Sequence, residues 1–266
     1  MPHKKESDLF HLSVSKVKTF LTCKAKYRYQ YIEHLPKIER DFQVFGSFLH
    51  EALEEFQSSI IGGVEAPDHI RMKLAFSKAM KGDWGPKLTP EQKQECIDVL
   101  KEYLVFRYNN RNAPSEVLEV EKPFSFDLDG KVLLNGFIDV VQRDADGIIH
   151  VADYKSSKEK KYLKKDLLQL KTYALALMYN DSDIDKIRCS YVMLRHKFDP
   201  IQKEFERSEI MPVADEFLEY AENINAEKLY RPSTGPLCKF CDYLGKCSEG
   251  KKYILKGDDS FGITDW

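Results

Sequence analysis

The chain has 266 residues, of which 42% are hydrophobic and 12% aromatic, and this composition excludes a disordered or low-complexity protein. Its 41 Lys and Arg nearly balance 43 Asp and Glu, so the formal net charge is −2. Apolar runs stay shorter than the roughly 18 residues of a transmembrane helix, and the N-terminus lacks the apolar stretch of a signal peptide. We therefore expect a cytoplasmic protein without membrane contact, whose cysteines are reduced or bound to metal.

The near-neutral total conceals two basic segments. Residues 1–50 carry nine Lys and Arg against five acids, and residues 153–171 carry seven Lys against three acids. Acidic residues gather near 215–227 and in the tail, residues 251–266. Because electric fields act locally, the net charge does not exclude a nucleic-acid partner. The tail mixes acids with apolar residues and is expected to be a disordered end or a docking segment for a protein partner.

The first half of the chain shows mainly helical spacing of apolar residues. Four helices are predicted, from Val14 to Leu21, from Phe45 to the glycines at 62 and 63, over about 69–81, and from Pro90 to a stop at Pro114. Ser13 or Ser15 is the expected N-cap of the first helix.

The second half changes to strand-like alternation. Strands are predicted over 116–126, 131–142, 148–154, 187–194 and 202–210, with helices over 162–180 and about 212–228. The Asp129-Gly130 turn predicts that the first two strands form a hairpin. About the last 35 residues are rich in Pro, Gly and Cys and are expected to be irregular. The order predicts an α/β core with a mixed sheet flanked by helices and a helical insertion ahead of it.

Two acids and a lysine stand at the ends of neighbouring predicted strands. Asp139 follows Gly136 near the end of one strand, and Asp153, Tyr154 and Lys155 end the next. Paired strands would bring both carboxylates to one edge of the sheet, where they would bind a hard divalent cation. Lys155, two residues after Asp153, would project from the same strand face. Such a group could hydrolyse a phosphodiester, although an isolated Asp-x-Lys is more often a surface ion pair.

This pattern resembles the PD-(D/E)XK nuclease superfamily, which carries two acids and a lysine on a central hairpin, and implies a restriction-endonuclease-like fold. Further motifs resemble its RecB-like exonuclease branch. Gly46 to His50 resembles the G-x-x-x-H element, whose histidine adds a metal ligand, and Gln169 to Tyr173 resembles the Q-x-x-x-Y helix. The resemblance implies Mg²⁺ or Mn²⁺ at the site; its ligands would be His50, Asp139, Asp153 and the Tyr154 carbonyl.

Several residues are implied to support the reaction. Lys155 would position or deprotonate the attacking water, and Gln169 and Tyr173, on one helix face, would contact DNA or orient Lys155. Glu121 stands where relatives carry a supporting acid, although Glu119 lies two residues earlier on the same predicted strand face.

Three cysteines lie within ten residues, Cys238, Cys241 and Cys247, and leave a single metal centre one ligand short. Cys23 is the natural fourth. Spacing alone supports tetrahedral zinc and an iron–sulfur cluster equally. RecB-like nucleases with one early and three late cysteines ligate a 4Fe–4S cluster, so the resemblance implies that cofactor. It would pin the C-terminal segment to the N-terminal helix. The other two cysteines, Cys96 and Cys189, lie in apolar patterns and are expected in the core.

The interpretation is a metal-dependent DNA exonuclease, similar to CRISPR-associated adaptation nucleases and to the AddB nuclease domain, that degrades single-stranded DNA ends in recombination, repair or processing. Lys24 and Arg28, with Tyr27 and Tyr31, are candidates to track the backbone and stack bases, the alternative being that the tyrosines pack in the core. The rival is a DNA-binding or assembly protein with the same fold but little cleavage. The sequence predicts neither polarity, endonuclease balance nor oligomeric state.

The motifs divide the chain into five expected segments. They are an N-terminal helical element with Cys23 (1–44), a helical subdomain with His50 (45–115), the nuclease core (116–230), the cluster segment (231–250) and the acidic tail (251–266).

Overall fold

The structure is a computed structural model that describes residues 9–112, 115–160, 163–164 and 166–258. The chain divides into two compact units, one of residues 1–38, 129–133 and 217–266 and one of residues 39–128 and 134–216. Among the described residues, no helix combines the length and apolar character needed to span a bilayer.

The first unit begins with a short strand and three helical turns. The elements are β1 (Phe10–Leu12), α1 (Val14–Thr22) and α2 (Lys24–Tyr27), followed by a wide helical turn over Arg28–Ile32. Ser13 caps α1, as expected, because its Oγ accepts a hydrogen bond from the Lys16 amide over 3.3 Å. Phe10 N donates to Lys131 O over 2.9 Å, which attaches β1 to the start of the long strand that follows.

Three helices of the second unit surround a shared core. They are α3 (Asp41–Ile61), α4 (Asp68–Ala79) and α5 (Pro90–Asn109). Thr89 and Gln92 form a capping box at the start of α5, and Pro90 occupies its first position, where no amide is needed. The apolar face of α3, including Phe45, Phe48 and Leu49, is fully buried in the core.

The sheet has six strands, and its order is β1-β3-β4-β5-β6, with β2 paired to β3. The remaining elements are β2 (Glu116–Leu128), β3 (Val132–Arg143), β4 (Ile149–Lys155), α6 (Leu168–Asn180), β5 (Lys186–Met193) and β6 (Pro200–Glu206). β3 and β4 are antiparallel, β4 and β5 are parallel, and β5 and β6 are antiparallel. The parallel pair is joined through α6, as a crossover requires. The predicted mixed α/β fold is therefore confirmed.

Three predicted boundaries are wrong. The strand predicted over 202–210 ends at Glu206 and continues as a helical turn, α7 (Arg207–Ile210), because the Arg207 amide turns to donate to Asp185 O over 2.8 Å. The helix predicted from 162 begins at Leu168. After α8 (Val213–Ala226), the C-terminal part is not wholly irregular, since α9 covers Ser248–Asp258. The tail beyond residue 258 lies outside the described residues.

Candidate active site

Two acidic side chains meet where β3 and β4 pair. Val140 is opposite Ala152 in this antiparallel pair, and Asp139 and Asp153 each lie one residue beyond it. The Tyr154 amide donates a hydrogen bond to Asp139 Oδ2 over 2.9 Å, which holds this carboxylate against the neighbouring strand. Only 1% of the Asp153 side chain is exposed. The structure thus brings together the two acids that strand pairing predicted to be neighbours.

His50 reaches the acids from α3. Its Nδ1 lies 3.3 Å from Asp139 Oδ2. Burial lowers the pKa of His50, which favours the neutral imidazole that binds metal ions. Gly46, one turn earlier, permits this approach, because a Cβ there would lie 2.7 Å from Ser156 Oγ just beyond β4. The glycine of the G-x-x-x-H element therefore has a packing reason that the spacing alone does not reveal.

Glu121 completes a group with His50 and Asp139, called here the metal-binding group. Each of the three offers one ligand atom, and these atoms lie within 4.8 Å of one another. The backbone of Glu121 is left-handed, with φ +46°, which is uncommon for a residue with a side chain. Glu119, the alternative acid, instead pairs with Lys122 over 2.5 Å at the surface.

The charges of the metal-binding group favour a cation. Burial, together with the Asp139 carboxylate, raises the pKa of Glu121 to about 7. Burial, together with the Asp153 carboxylate, raises the pKa of Asp139. Crowded acids of this kind are stabilised in their ionised form by a bound divalent cation, and oxygen ligands with one imidazole suit such an ion. The donor set therefore fits a divalent metal.

Four side chains form a closed ring of contacts beside the metal-binding group, called here the Lys155 ring. Lys155 Nζ lies 2.5 Å from Asp153 Oδ2 and donates to Gln169 Oε1 over 3.1 Å. Gln169 Nε2 donates to Tyr173 OH over 2.7 Å, and Tyr173 OH donates to Asp153 Oδ1 over 3.1 Å. The i, i+4 pair on α6 thus contacts both Lys155 and Asp153.

Tyr154 takes part through its backbone. Its side chain enters the core, where Gln57 Nε2 donates to its hydroxyl over 3.1 Å and to Tyr103 OH over 2.5 Å. This side chain anchors the strand between the two residues that point into the Lys155 ring.

Sequence reasoning missed one neighbour of Lys155. The ring centroid of Tyr191 lies 5.3 Å from Lys155 Nζ, a cation–π contact. Tyr191 is opposite Asp153 in the parallel pairing of β4 and β5. It stands in a largely buried strand without a motif, so only the register of that pairing identifies it.

The four cysteines of the predicted metal centre, called here the cysteine group, all lie in the first unit. Three sulfurs accept backbone amides: Ser233 N to Cys23 Sγ over 3.4 Å, Gly235 N to Cys238 Sγ over 3.4 Å, and Gly250 N to Cys247 Sγ over 3.3 Å. Burial raises the pKa of Cys241, and the nearby Cys23 thiol adds to this effect. No three cysteine sulfurs in the described part of the chain lie within 4.8 Å of one another.

The other two cysteines lie in the core. Cys96 and Cys189 are fully buried, as predicted, and all six cysteines are free thiols. Burial raises the pKa of Cys96 to about 12, so its thiol is protonated and unsuited to bind metal.

The basic and aromatic residues after Cys23 do not form an open surface. Tyr27 is buried, and its ring contacts those of Phe20, Tyr31 and Tyr230. The two cations on this element are paired, Lys24 with Glu227 over 2.5 Å and Arg28 with Glu33 over 2.9 Å. The core-packing alternative is therefore correct for Tyr27, and the prediction that it stacks bases is wrong. In the second basic segment, Lys160 pairs with Asp199, while residues 161, 162 and 165 lie outside the described residues.

Comparison with known proteins places the chain in a family. Residues 11–248 match the PD-(D/E)XK nuclease superfamily. One of the two proteins of the ATP-dependent helicase/deoxyribonuclease of Streptococcus agalactiae is 27% identical over 167 residues, 60% of this chain and 15% of that protein. Its Streptococcus mutans counterpart is 27% identical over 196 residues, 66% of this chain and 17% of that protein. The chain therefore spans less than a fifth of the length of these relatives.

A solved structure shares the fold. It is described as that of a candidate exonuclease from Eubacterium rectale, and it covers 93% of this chain and 89% of its own with a TM-score of 0.53 at 10% identity. The family match extends over the metal-binding group, the Lys155 ring and the cysteine group. The chain belongs to the PD-(D/E)XK nuclease superfamily.

Proposed function

We propose that this chain is a metal-dependent deoxyribonuclease of the RecB-like branch that hydrolyses phosphodiester bonds from single-stranded DNA ends. The observation that carries the proposal is that the metal-binding group and the Lys155 ring lie together in one unit. The names of the streptococcal relatives support DNA as the substrate and recombination, repair or processing as the context.

His50, Asp139 and Asp153 would hold Mg²⁺ or Mn²⁺, with the Tyr154 carbonyl as a further ligand and Glu121 as a supporting acid. When bound, the cation supplies Lewis-acid activation of water and neutralises charge on the phosphate. The neutral imidazole and the crowded carboxylates described above support this ligand set.

Lys155 would position the attacking water and stabilise the extra negative charge of the pentacoordinate phosphate. Its ammonium has a fixed location, because Asp153 and Gln169 both contact it. Tyr173 holds the opposite end of the ring, so Gln169 and Tyr173 act as positioning residues for Lys155 and Asp153.

The test uses end-labelled single-stranded DNA with Mn²⁺ and compares wild type with Asp153→Asn and Lys155→Ala. Lys203→Ala is the matched control, since this strand lysine pairs with Glu209 over 2.9 Å at the surface, away from the acids. We expect wild type and the control to degrade DNA, both site variants to lose activity, and EDTA to stop the reaction. Equal degradation by all four proteins, or DNA binding without cleavage by wild type, would refute the proposal; the second result would favour the alternative of a DNA-binding or assembly protein.

The cysteine group supports a second part of the proposal, a 4Fe–4S cluster on Cys23, Cys238, Cys241 and Cys247. Backbone amides that donate to three of these sulfurs are the contacts that stabilise thiolates bound to iron. Four ligands of one zinc ion would bring the sulfurs to about 3.8 Å from one another, given Zn–S bonds of about 2.3 Å. The wider spacing observed fits a cluster in which each thiolate binds a different iron.

The protein purified without oxygen should then be brown and contain four iron atoms and four sulfides per cluster. Cys241→Ser should lose iron, whereas Cys189→Ala, a buried cysteine outside the group, should keep it. One zinc per chain without iron, or equal iron in both variants, would contradict the cluster.

A further inference from the structure

One face of α3 lines a cleft of about 650 Å³ that contains His50 and Glu121 of the metal-binding group. Phe42, Gly46, His50 and Glu54 follow one another at four-residue spacing, so they share this face. Phe42 lies two turns before His50, about 12 Å along the axis at 1.5 Å per residue. The helix therefore carries an aromatic side chain and a metal ligand along one wall of the same cleft.

Phe42 is unusual among the residues of this cleft because 56% of it is exposed. Single exposed apolar side chains are common on protein surfaces and need no explanation by themselves. Here, however, a second aromatic residue, Trp84, lines the same cleft. The Trp84 indole packs against the core, and Lys87 Nζ lies 4.7 Å from its ring centroid, so the ring is held in place.

Charge limits what the cleft can accept. Its walls carry the acids Glu51, Glu54 and Asp83 besides Glu121, and no lysine or arginine is among the described residues that line it. A phosphate away from the metal would meet only negative charge. The uncharged part of a nucleotide, its base, is the part that suits the aromatic end.

We propose that Phe42 stacks a nucleobase of the substrate strand and that Trp84 forms the second aromatic wall of this base subsite. The proposal rests on the proposed nuclease function and names the form of DNA that the site accepts. A stacked strand advances about 3.4 Å per nucleotide and an extended one advances more, so about 12 Å places the base within about three nucleotides of the scissile phosphate. A base inside a duplex has neighbours on both faces, so the subsite selects unpaired nucleotides.

The test combines a protein variant with a DNA lesion. Fluorescently labelled dT oligonucleotides, intact or with one abasic residue at each of the four terminal positions, are titrated with wild type and with Phe42→Ala in EDTA, and cleavage is measured with Mn²⁺. Loss of one stacked base should weaken binding about 5- to 150-fold. Phe42→Ala should show this loss on intact DNA and no further loss at the abasic position that wild type discriminates.

Two controls keep the result specific. Tyr108→Ala removes an aromatic side chain that is 64% exposed but does not line this cleft, and it should bind as wild type does. Phe42→Tyr retains the ring and should restore binding. Thermal unfolding should be unchanged in Phe42→Ala, because the side chain is already largely in solvent.

A fluorescence measurement addresses Trp84. The chain has two tryptophans, and Trp266→Phe, outside the described residues, leaves Trp84 as the sole emitter. Intact dT DNA should quench it. Unchanged binding by Phe42→Ala, or equal abasic penalties in wild type and variant, would overturn the base subsite, and absence of quenching would overturn the part of Trp84. Failure of wild type to cleave any DNA would instead overturn the proposed function.

Discussion

Replacing Tyr173 with phenylalanine removes one oxygen atom from the Lys155 ring and leaves the packing of the aromatic side chain in place. The hydroxyl donates to Asp153 Oδ1 over 3.1 Å and accepts from Gln169 Nε2 over 2.7 Å. Because Asp153 is 1% exposed, water has little access to replace the lost donor. A hydrogen bond to a charged group contributes about 1.5–3 kcal/mol. If the ring positions Lys155 for the reaction, kcat should fall roughly 10- to 150-fold.

The matched control is Tyr179→Phe, the same chemical change on the same helix, α6. The Tyr179 hydroxyl donates to Asp127 O over 2.8 Å, and its ring stacks on Phe126. Single-turnover cleavage of end-labelled single-stranded DNA would report kcat, and thermal unfolding would report stability. We expect both variants to lose at most a few degrees in Tm and only Tyr173→Phe to lose activity.

A double-mutant cycle with Gln169→Leu sharpens this test. Residues of one hydrogen-bonded network are not independent, so the double variant should be less impaired than the product of the two single losses. Full activity of Tyr173→Phe, equal losses in the Tyr179 control, or strictly multiplicative effects in the cycle would refute the reasoning that the ring positions Lys155.

Three further predictions follow from packing and charge. Gly46→Ala should lower the free energy of unfolding by about 1–3 kcal/mol, because its methyl would lie 2.7 Å from Ser156 Oγ; urea titration should show recovery when Ser156→Ala is added, and additive losses would contradict the contact. Mn²⁺ should raise the Tm of wild type by binding the folded state, but not that of Asp139→Ala, in scanning fluorimetry. Burial of Asp144 opposes ionisation, yet hydrogen bonds led by that from His150 lower its pKa. Its stabilising effect is therefore complete above the ordinary pKa of about 3.9 and fades as the pH falls through the lowered value. Urea titration should show Asp144→Asn to be less stable than wild type by about 1–3 kcal/mol at pH 6 and the difference to shrink in acid; a constant difference would contradict it.

The elements that local signals specify were predictable from the sequence. The Asp129-Gly130 pair adopts φ +55° and +63°, and two residues of positive φ are what a tight hairpin turn demands. Thr89 and Pro90 mark the start of α5 through a cap and a fixed φ. These signals act within a few residues, so a single sequence contains all the information they need.

Features that depend on distant contacts were predicted less well. The tyrosine cluster after Cys23 has helical spacing, but its burial involves Tyr230, some two hundred residues later. The turn into α7 depends on hydrogen bonds from Arg207 to the loop before β5 and to Met178 O. In both cases the deciding partner is remote in sequence, so periodicity within the segment carries no trace of it.

The choice between Glu119 and Glu121 shows a different limit. Strand alternation places both acids on one face, and this inference assumes extended backbone at every position. The left-handed φ of +46° at Glu121 breaks the assumption, and such a backbone costs about 1–2 kcal/mol in a residue with a Cβ. Strain of this kind persists where the surrounding structure determines it and is common at functional sites. Here it accompanies a carboxylate within 4.8 Å of the ligand atoms of His50 and Asp139, while Glu119 pairs with Lys122 at the surface. The strained backbone therefore identifies Glu121 as the acid that supports the metal-binding group, a distinction that alternation cannot make.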